Sequence, residues 1–211
     1  MKKFELTAEF VTNFFGKKLF RIKALVAFGN VNAGELGGFV EKEENLSNDG
    51  NAWVYGNARV SGNARVSGDA EVSDNAWVSG NARVSGDAEV SDNAWVYGNA
   101  RVSGDAEVSG NARVYGNARV SGDAEVSGNA RVYGNADYSV VKGFGRYFRT
   151  TTFFRCTDKV VRVQCGCFYG DLPQFRSIVK KTHGDGKLAK EYLAIADLME
   201  FHFSDEEDAD K

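Results

Sequence analysis

From Gly50 to Ser139 the apolar and polar positions repeat every six residues, fifteen times without a gap, mostly as Gly-Asn/Asp-Ala-x-Val-Ser/Tyr. In one copy, Gly62-Asn63-Ala64-Arg65-Val66-Ser67, the apolar Ala64 and Val66 lie two apart. On an extended chain they point to one side and Arg65 to the other. Gly62-Asn63 supplies turn chemistry, because glycine takes positive φ freely and asparagine tolerates it. Each hexad is therefore predicted to be one short strand and one corner, with Ala and Val inward. A helix is excluded, since spacings of two and four make no 3.6-residue stripe and a glycine in every turn or two is costly there.

A second period, eighteen, opens with Gly-Asp-Ala-Glu-Val-Ser at Gly68, Gly86, Gly104 and Gly122. Stacking of short repeats on one another is the usual outcome of such periodicity. Three hexads per coil place residues eighteen apart directly above one another. Fifteen hexads then make five coils, and at ~4.8 Å per coil a rod roughly 24 Å long. The motif of an aliphatic residue followed four positions later by a small one, as in Val60 and Ala64, Val66 and Ala70, and on to Val132 and Ala136, resembles the bacterial hexapeptide-repeat family. That resemblance implies a mainly β protein built on a left-handed parallel β-helix. A right-handed β-helix is the alternative, with coils that are usually longer and less regular.

Sorted by eighteen, the outward positions form three columns. The first is Trp53, Glu71, Glu89, Glu107 and Glu125, with Asp69, Asp87, Asp105 and Asp123 at its preceding corner. The second is Arg59, Trp77, Trp95, Arg113 and Arg131, with Tyr97, Tyr115 and Tyr133 two positions on. The third is Arg65, Arg83, Arg101 and Arg119, ending at Asp137. The net charge of −3 hides this segregation. Two like charges ~4.8 Å apart cost about 0.9 kcal/mol in water, so the columns repel themselves mildly.

The plain reading of the charged columns is solvated faces left by duplication of one unit. The functional reading is that columns meet partners. The acidic column of one copy meeting the arginine column of another gives a salt-sensitive homo-oligomer. Divalent metal on the acidic column is disfavoured because no loop closes over it. Nucleic acid on the arginine column is disfavoured because the domain is not strongly basic. The aromatic–arginine face (Trp77, Trp95, Tyr97, Arg113, Tyr115, Arg131, Tyr133) is the leading binding candidate, since Trp, Tyr and Arg dominate interface hot spots. Trp77 and Trp95 each follow Asp-Asn in place of Gly-Asn, which reads as a duplication scar.

Square-cut solenoid ends need caps. Phe4 to Phe15 and Leu19 to Phe28, split by Gly16-Lys17-Lys18, predict a β-hairpin, and Val40 and Leu46 fall into the Ala register (40, 46, 52), so an irregular coil begins near Gly38. Residues 1–49 are thus a β cap, 50–139 the rod, 140–203 a small α+β domain and 204–211 an acidic, disordered tail. In the third segment Thr151–Cys156 and Val160–Cys165 predict a hairpin. A helix is expected over Leu172–His183, with an Asp171/Gln174 capping box, Pro173 in the first turn and Gly184 as the stop. A second is expected over Lys187–Met199, facing inward with Leu188, Tyr192, Ile195 and Leu198 or Met199. The stretch from Gly34 to Ser47 and Cys165-Gly166-Cys167-Phe168-Tyr169-Gly170 resemble hexapeptide-repeat proteins of Gram-positive bacteria and their phages, a resemblance that carries no activity with it.

With three cysteines and no secretory or membrane-spanning segment, the expectation is a cytoplasmic protein with free thiols. Cys156, Cys165, Cys167 and His183 are a candidate three-Cys, one-His zinc set, but the spacing matches no zinc knuckle and buried structural thiols are the favoured reading. The family resemblance also implies an acyltransferase alternative, which needs a histidine base. The only histidines are His183 and His202, outside the rod. The expectation is therefore no catalytic residues, no cofactor, and a non-enzymatic binding or scaffold protein with a protein partner and no membrane. A phage-encoded inhibitor of a host protein is one form this takes.

Overall fold

In the computed structural model, which describes residues 2–156 and 158–204, the hexads become fourteen two-residue strands, β4 (Trp53–Val54) to β17 (Arg131–Val132). They form the three columns of a parallel β-solenoid of about five turns. Equivalent residues of successive coils pair in register, Glu71 with Glu89 and Arg83 with Arg101, for example. Trp53, Tyr55 and Asn57 donate their backbone N–H to the carbonyls of Ala70, Val72 and Asp74 in the next coil. Every inward Ala and Val from Ala52 to Val132 is fully buried. The expected core is therefore the observed one.

Two residues of the corner motif depart from glycine, and the geometry gives a reason. Asp74 and Asp92 hold φ of 59° and 58°. The Asp92 carboxylate accepts the Gly110 N–H at 2.9 Å, and Asp74 accepts the Asp92 N–H at 3.4 Å. The carboxylate thus satisfies a corner amide, which offsets part of the cost of a left-handed conformation.

At its N-terminal end the solenoid is capped by β1 (Phe4–Thr12), β2 (Lys18–Ala24) and β3 (Leu36–Val40), joined antiparallel, with β3 then running parallel to β5 (Arg59–Val60). The expected hairpin is present. Its register corrects the sequence reading. Val40 pairs with Val60 and Leu46 with Val66, whereas Val54 pairs with Val72. Val40 and Leu46 therefore stack on the Val positions and not the Ala positions. A shift of two residues keeps the same side inward, so the apolar pattern alone does not distinguish the two registers.

Seven backbone carbonyls within residues 50–67 take donors from the preceding residues of the cap. Phe39, Glu41 and Ser47 give backbone N–H to Ala58, Val60 and Val66. Lys3 Nζ donates to Gly50 O at 3.1 Å and Ala52 O at 2.8 Å. The buried Asn45 amide donates to Gly62 O at 3.1 Å and Ala64 O at 2.8 Å. Trp53, assigned by its position to the outward acidic column, is fully buried instead, with Phe4 and Phe28 edge-on to its ring. The cap covers that end of the column.

The fifteenth hexad leaves the rod. Gly134–Ser139 passes through a 3-10 turn (Asn135–Asp137) into β18 (Tyr138–Val141), so Asp137 does not continue the arginine column. Tyr138 stands where each earlier hexad buries Val, and it pairs antiparallel with Phe154. The chain divides into two compact units between Asn135 and Ala136.

The second unit has a four-stranded antiparallel sheet, β18, β19 (Thr151–Arg155), β20 (Val161–Cys165) and β21 (Phe168–Asp171), followed by α1 (Leu172–His183) and α2 (Lys187–His202). Helix α1 has the predicted bounds. Asp171 accepts the Gln174 N–H at 2.8 Å and Gln174 Oε1 accepts the Asp171 N–H at 3.0 Å, the reciprocal cap read from sequence. Helix α2 runs to His202, and of the expected inward residues Met199 is buried and Tyr192 and Ile195 pack partly buried against the core. Ala189, Ala196 and Met199 are buried with Phe153, Val163, Phe175 and Val179, while Leu198 is 58% exposed. Thr157, in the expected β19–β20 turn, and residues 205–211 of the acidic tail lie outside the described residues.

Candidate interaction face

The second column collects the aromatic and arginine side chains that the period placed together. In-register pairing runs Arg59, Trp77, Trp95, Arg113, Arg131 along one sheet. The Trp77 and Trp95 rings meet edge to face at 5.2 Å. The Arg59 guanidinium lies 6.0 Å from the Trp77 centroid and that of Arg113 lies 5.1 Å from Trp95, within cation–π range. Two positions on, Tyr97 and Tyr115 stack in parallel at 5.0 Å with planes 8° apart, and Tyr133 meets Tyr115 at 5.3 Å. Burial and the neighbouring Tyr115 push the Tyr97 hydroxyl pKa up.

Two residues of this face escaped the sequence reading. Phe14 and Phe15 were expected within the first strand, but that strand ends at Thr12 and they form the hairpin tip. The Asn13 carboxamide pins the turn by accepting N–H from Phe15 at 2.9 Å and Lys17 at 3.0 Å. Phe14 stacks on Trp77 at 5.8 Å, yet Phe14 and Phe15 remain 86% and 85% exposed. With Trp77, Ser79, Trp95 and Tyr97 they line a groove of about 290 Å³. The signal was available: two adjacent aromatics beside Gly16-Lys17-Lys18 occupy a turn, where apolar residues have no core to enter.

The acidic column, Glu71, Glu89, Glu107 and Glu125, pairs residue on residue. Partial burial, then Glu125 and Glu89, hold the Glu107 pKa above its ordinary value of 4.5. A raised carboxylate pKa means that this group destabilises the fold as pH rises through the folded value. Glu107→Gln is therefore expected to stabilise the protein at pH 7 by about 0.5 kcal/mol at low salt. The gain should disappear below about pH 4, where both states are protonated. Chemical denaturation at the two pH values checks this.

The arginine column, Arg65, Arg83, Arg101 and Arg119, is likewise in register. Beside it the Asn63, Asn81, Asn99 and Asn117 carboxamides bond one to the next at 3.1–3.3 Å. Asn63, Asn81 and Asn99 with Arg65, Arg83 and Arg101 line a groove of about 480 Å³.

The zinc candidates are not brought together, and among the described residues no group of three His, Cys, Asp or Glu could hold a metal ion. Cys156 is buried. Cys165, half-buried at the end of β20, accepts from the Thr151 hydroxyl at 3.1 Å. Cys167 is exposed in the turn after β20, not beside Cys165 on one strand, and His183 stacks on Tyr192. Only Cys156 fits the expectation of buried thiols.

Fold and face together define a β-solenoid repeat protein. Residues 52–68, 58–74, 94–110, 106–122 and 112–127 are similar to the family described as YdcK beta solenoid repeat. No curated protein matches the chain. No helix among the described residues is long and apolar enough to cross a membrane.

Proposed function

We propose that this chain is a non-enzymatic binding protein whose solenoid holds the aromatic–arginine ribbon rigidly toward a protein partner. The carrying observation is the exposed pair Phe14 and Phe15 beside Trp77, Trp95 and Tyr97, continued by Arg113 and Arg131. A cluster of this composition, apolar at the centre and flanked by guanidinium groups, is what a hot spot requires. The ring geometry favours protein over a ligand that stacks. The Tyr97 and Tyr115 faces are turned toward each other, so no face is left between them for a base or a sugar. Trp77, Trp95 and Arg113 sit on paired strands, so little entropy is lost at these anchors on binding.

The double substitution Trp95→Ala/Arg113→Ala tests the reading. A partner captured by the wild-type chain from its native cells, then purified, should bind the variant at least tenfold more weakly, while stability changes by no more than about 1 kcal/mol. Undiminished binding would remove this face from consideration. A clear thermal shift with acetyl-coenzyme A would replace the binding function with an acyltransferase-like one.

A further inference from the structure

We infer that copies of this chain associate side by side, the glutamate column of one rod lying against the arginine column of the next. Elsewhere in the protein arginines find acids: Arg21 pairs with Glu9, Arg162 with Asp158, and Arg176 with Asp197 and Glu200. Arg65, Arg83 and Arg101 are exposed and make no ion pair among the described residues, as do Glu89 and Glu107. Each set repels itself along its own column.

A second copy relieves both repulsions at once. The two columns are built on one coil step, ~4.8 Å, so when one Glu meets one Arg every later pair meets as well. The groove between the asparagine and arginine columns gives each carboxylate a guanidinium on one side and a carboxamide on the other. A nucleic-acid strand fits less well. Its charges advance 3.4 Å per nucleotide along a duplex, and they fall out of step with the arginines within a few positions. The contact joins two different faces, so it is heterologous and copies add one after another. The aromatic ribbon is on the third face and takes no part, so this inference stands or falls separately from the proposed function.

The test uses the full chain and two charge reversals at exposed positions, Arg83→Glu/Arg101→Glu and Glu89→Arg/Glu107→Arg. Each reversal breaks a like-charge stack, so both variants should melt no lower than the wild type. By sedimentation at ~20 mM salt, the wild type should at least double its weight-average mass as concentration rises, and should return to monomer near ~500 mM. Each variant alone should stay monomeric. An equimolar mixture should assemble, because the intact glutamate column of one variant meets the intact arginine column of the other, and the two reversed columns, Arg-Glu-Glu-Arg and Glu-Arg-Arg-Glu, also match charge for charge. A wild type that stays monomeric at low salt overturns the inference. So does a variant that assembles alone as the wild type does, or a mixture that stays monomeric.

Discussion

Gly86→Ala is expected to lower the unfolding free energy by about 3 kcal/mol, and Gly122→Ala by about 1 kcal/mol. Both glycines occupy the same corner of the repeat with positive φ, +75° and +68°. An alanine pays the left-handed conformational cost at either. The difference is what lies above. A Cβ on Gly86 meets Gly104 N at 2.8 Å and O at 3.0 Å, backbone atoms held by the next coil, whereas a Cβ on Gly122 meets nothing within 4 Å. Gly86→Ala therefore forces two coils apart and weakens the ladder bonds on both sides of the corner. Denaturant titration of the two variants separates the local cost from the stacking cost. Equal destabilisation would show that coil spacing is not what demands glycine here.

Lys3→Met should cost about 2 kcal/mol at pH 7, with a pH signature that a simple packing defect lacks. Lys3 is 4% exposed, lies 4.5 Å from the Phe28 ring centroid, and carries the first-coil carbonyls of Gly50 and Ala52. Methionine fills the space and leaves both carbonyls without their donor. Burial pushes the ammonium pKa down to about 8, against the smaller upward pull of Asp49 and Asp69. The folded value is below the unfolded 10.5, so between the two the unfolded chain holds the proton more tightly and wild-type stability rises with pH. Neutral lysine keeps two N–H donors for the two carbonyls. The gap between wild type and Lys3→Met should therefore widen from pH 8 to pH 10.5, by about 1–2 kcal/mol once solvent screening is allowed for. A gap constant across that range would mean that Lys3 is not the charged cap described.

The rod and its three columns were legible in the chain because a hexad carries its own geometry. Glycine at the corner, Ala and Val two apart, and a polar residue between them leave one arrangement, and a period of eighteen stacks it without further information. Helix α1 was legible for the same kind of reason, since its start and stop are made by residues within one turn of its ends. What local pattern left open was decided by contact. The hairpin cap buried Trp53, which the period had placed outward, and its turn carried Phe14 and Phe15 to the aromatic face. A two-residue insertion before Val54 was invisible to an apolar pattern of period two, so only the pairing of Val40 with Val60 set the first coil's register. On α2 the sequence left Leu198 and Met199 as alternatives, and the packing of the neighbouring elements buried Met199 and left Leu198 exposed. Periodic burial is a property of each residue and its near neighbours, and so sequence alone determines it. Which surfaces are covered, and what lies across from them, depends on residues distant in the chain, and only the tertiary structure decides it.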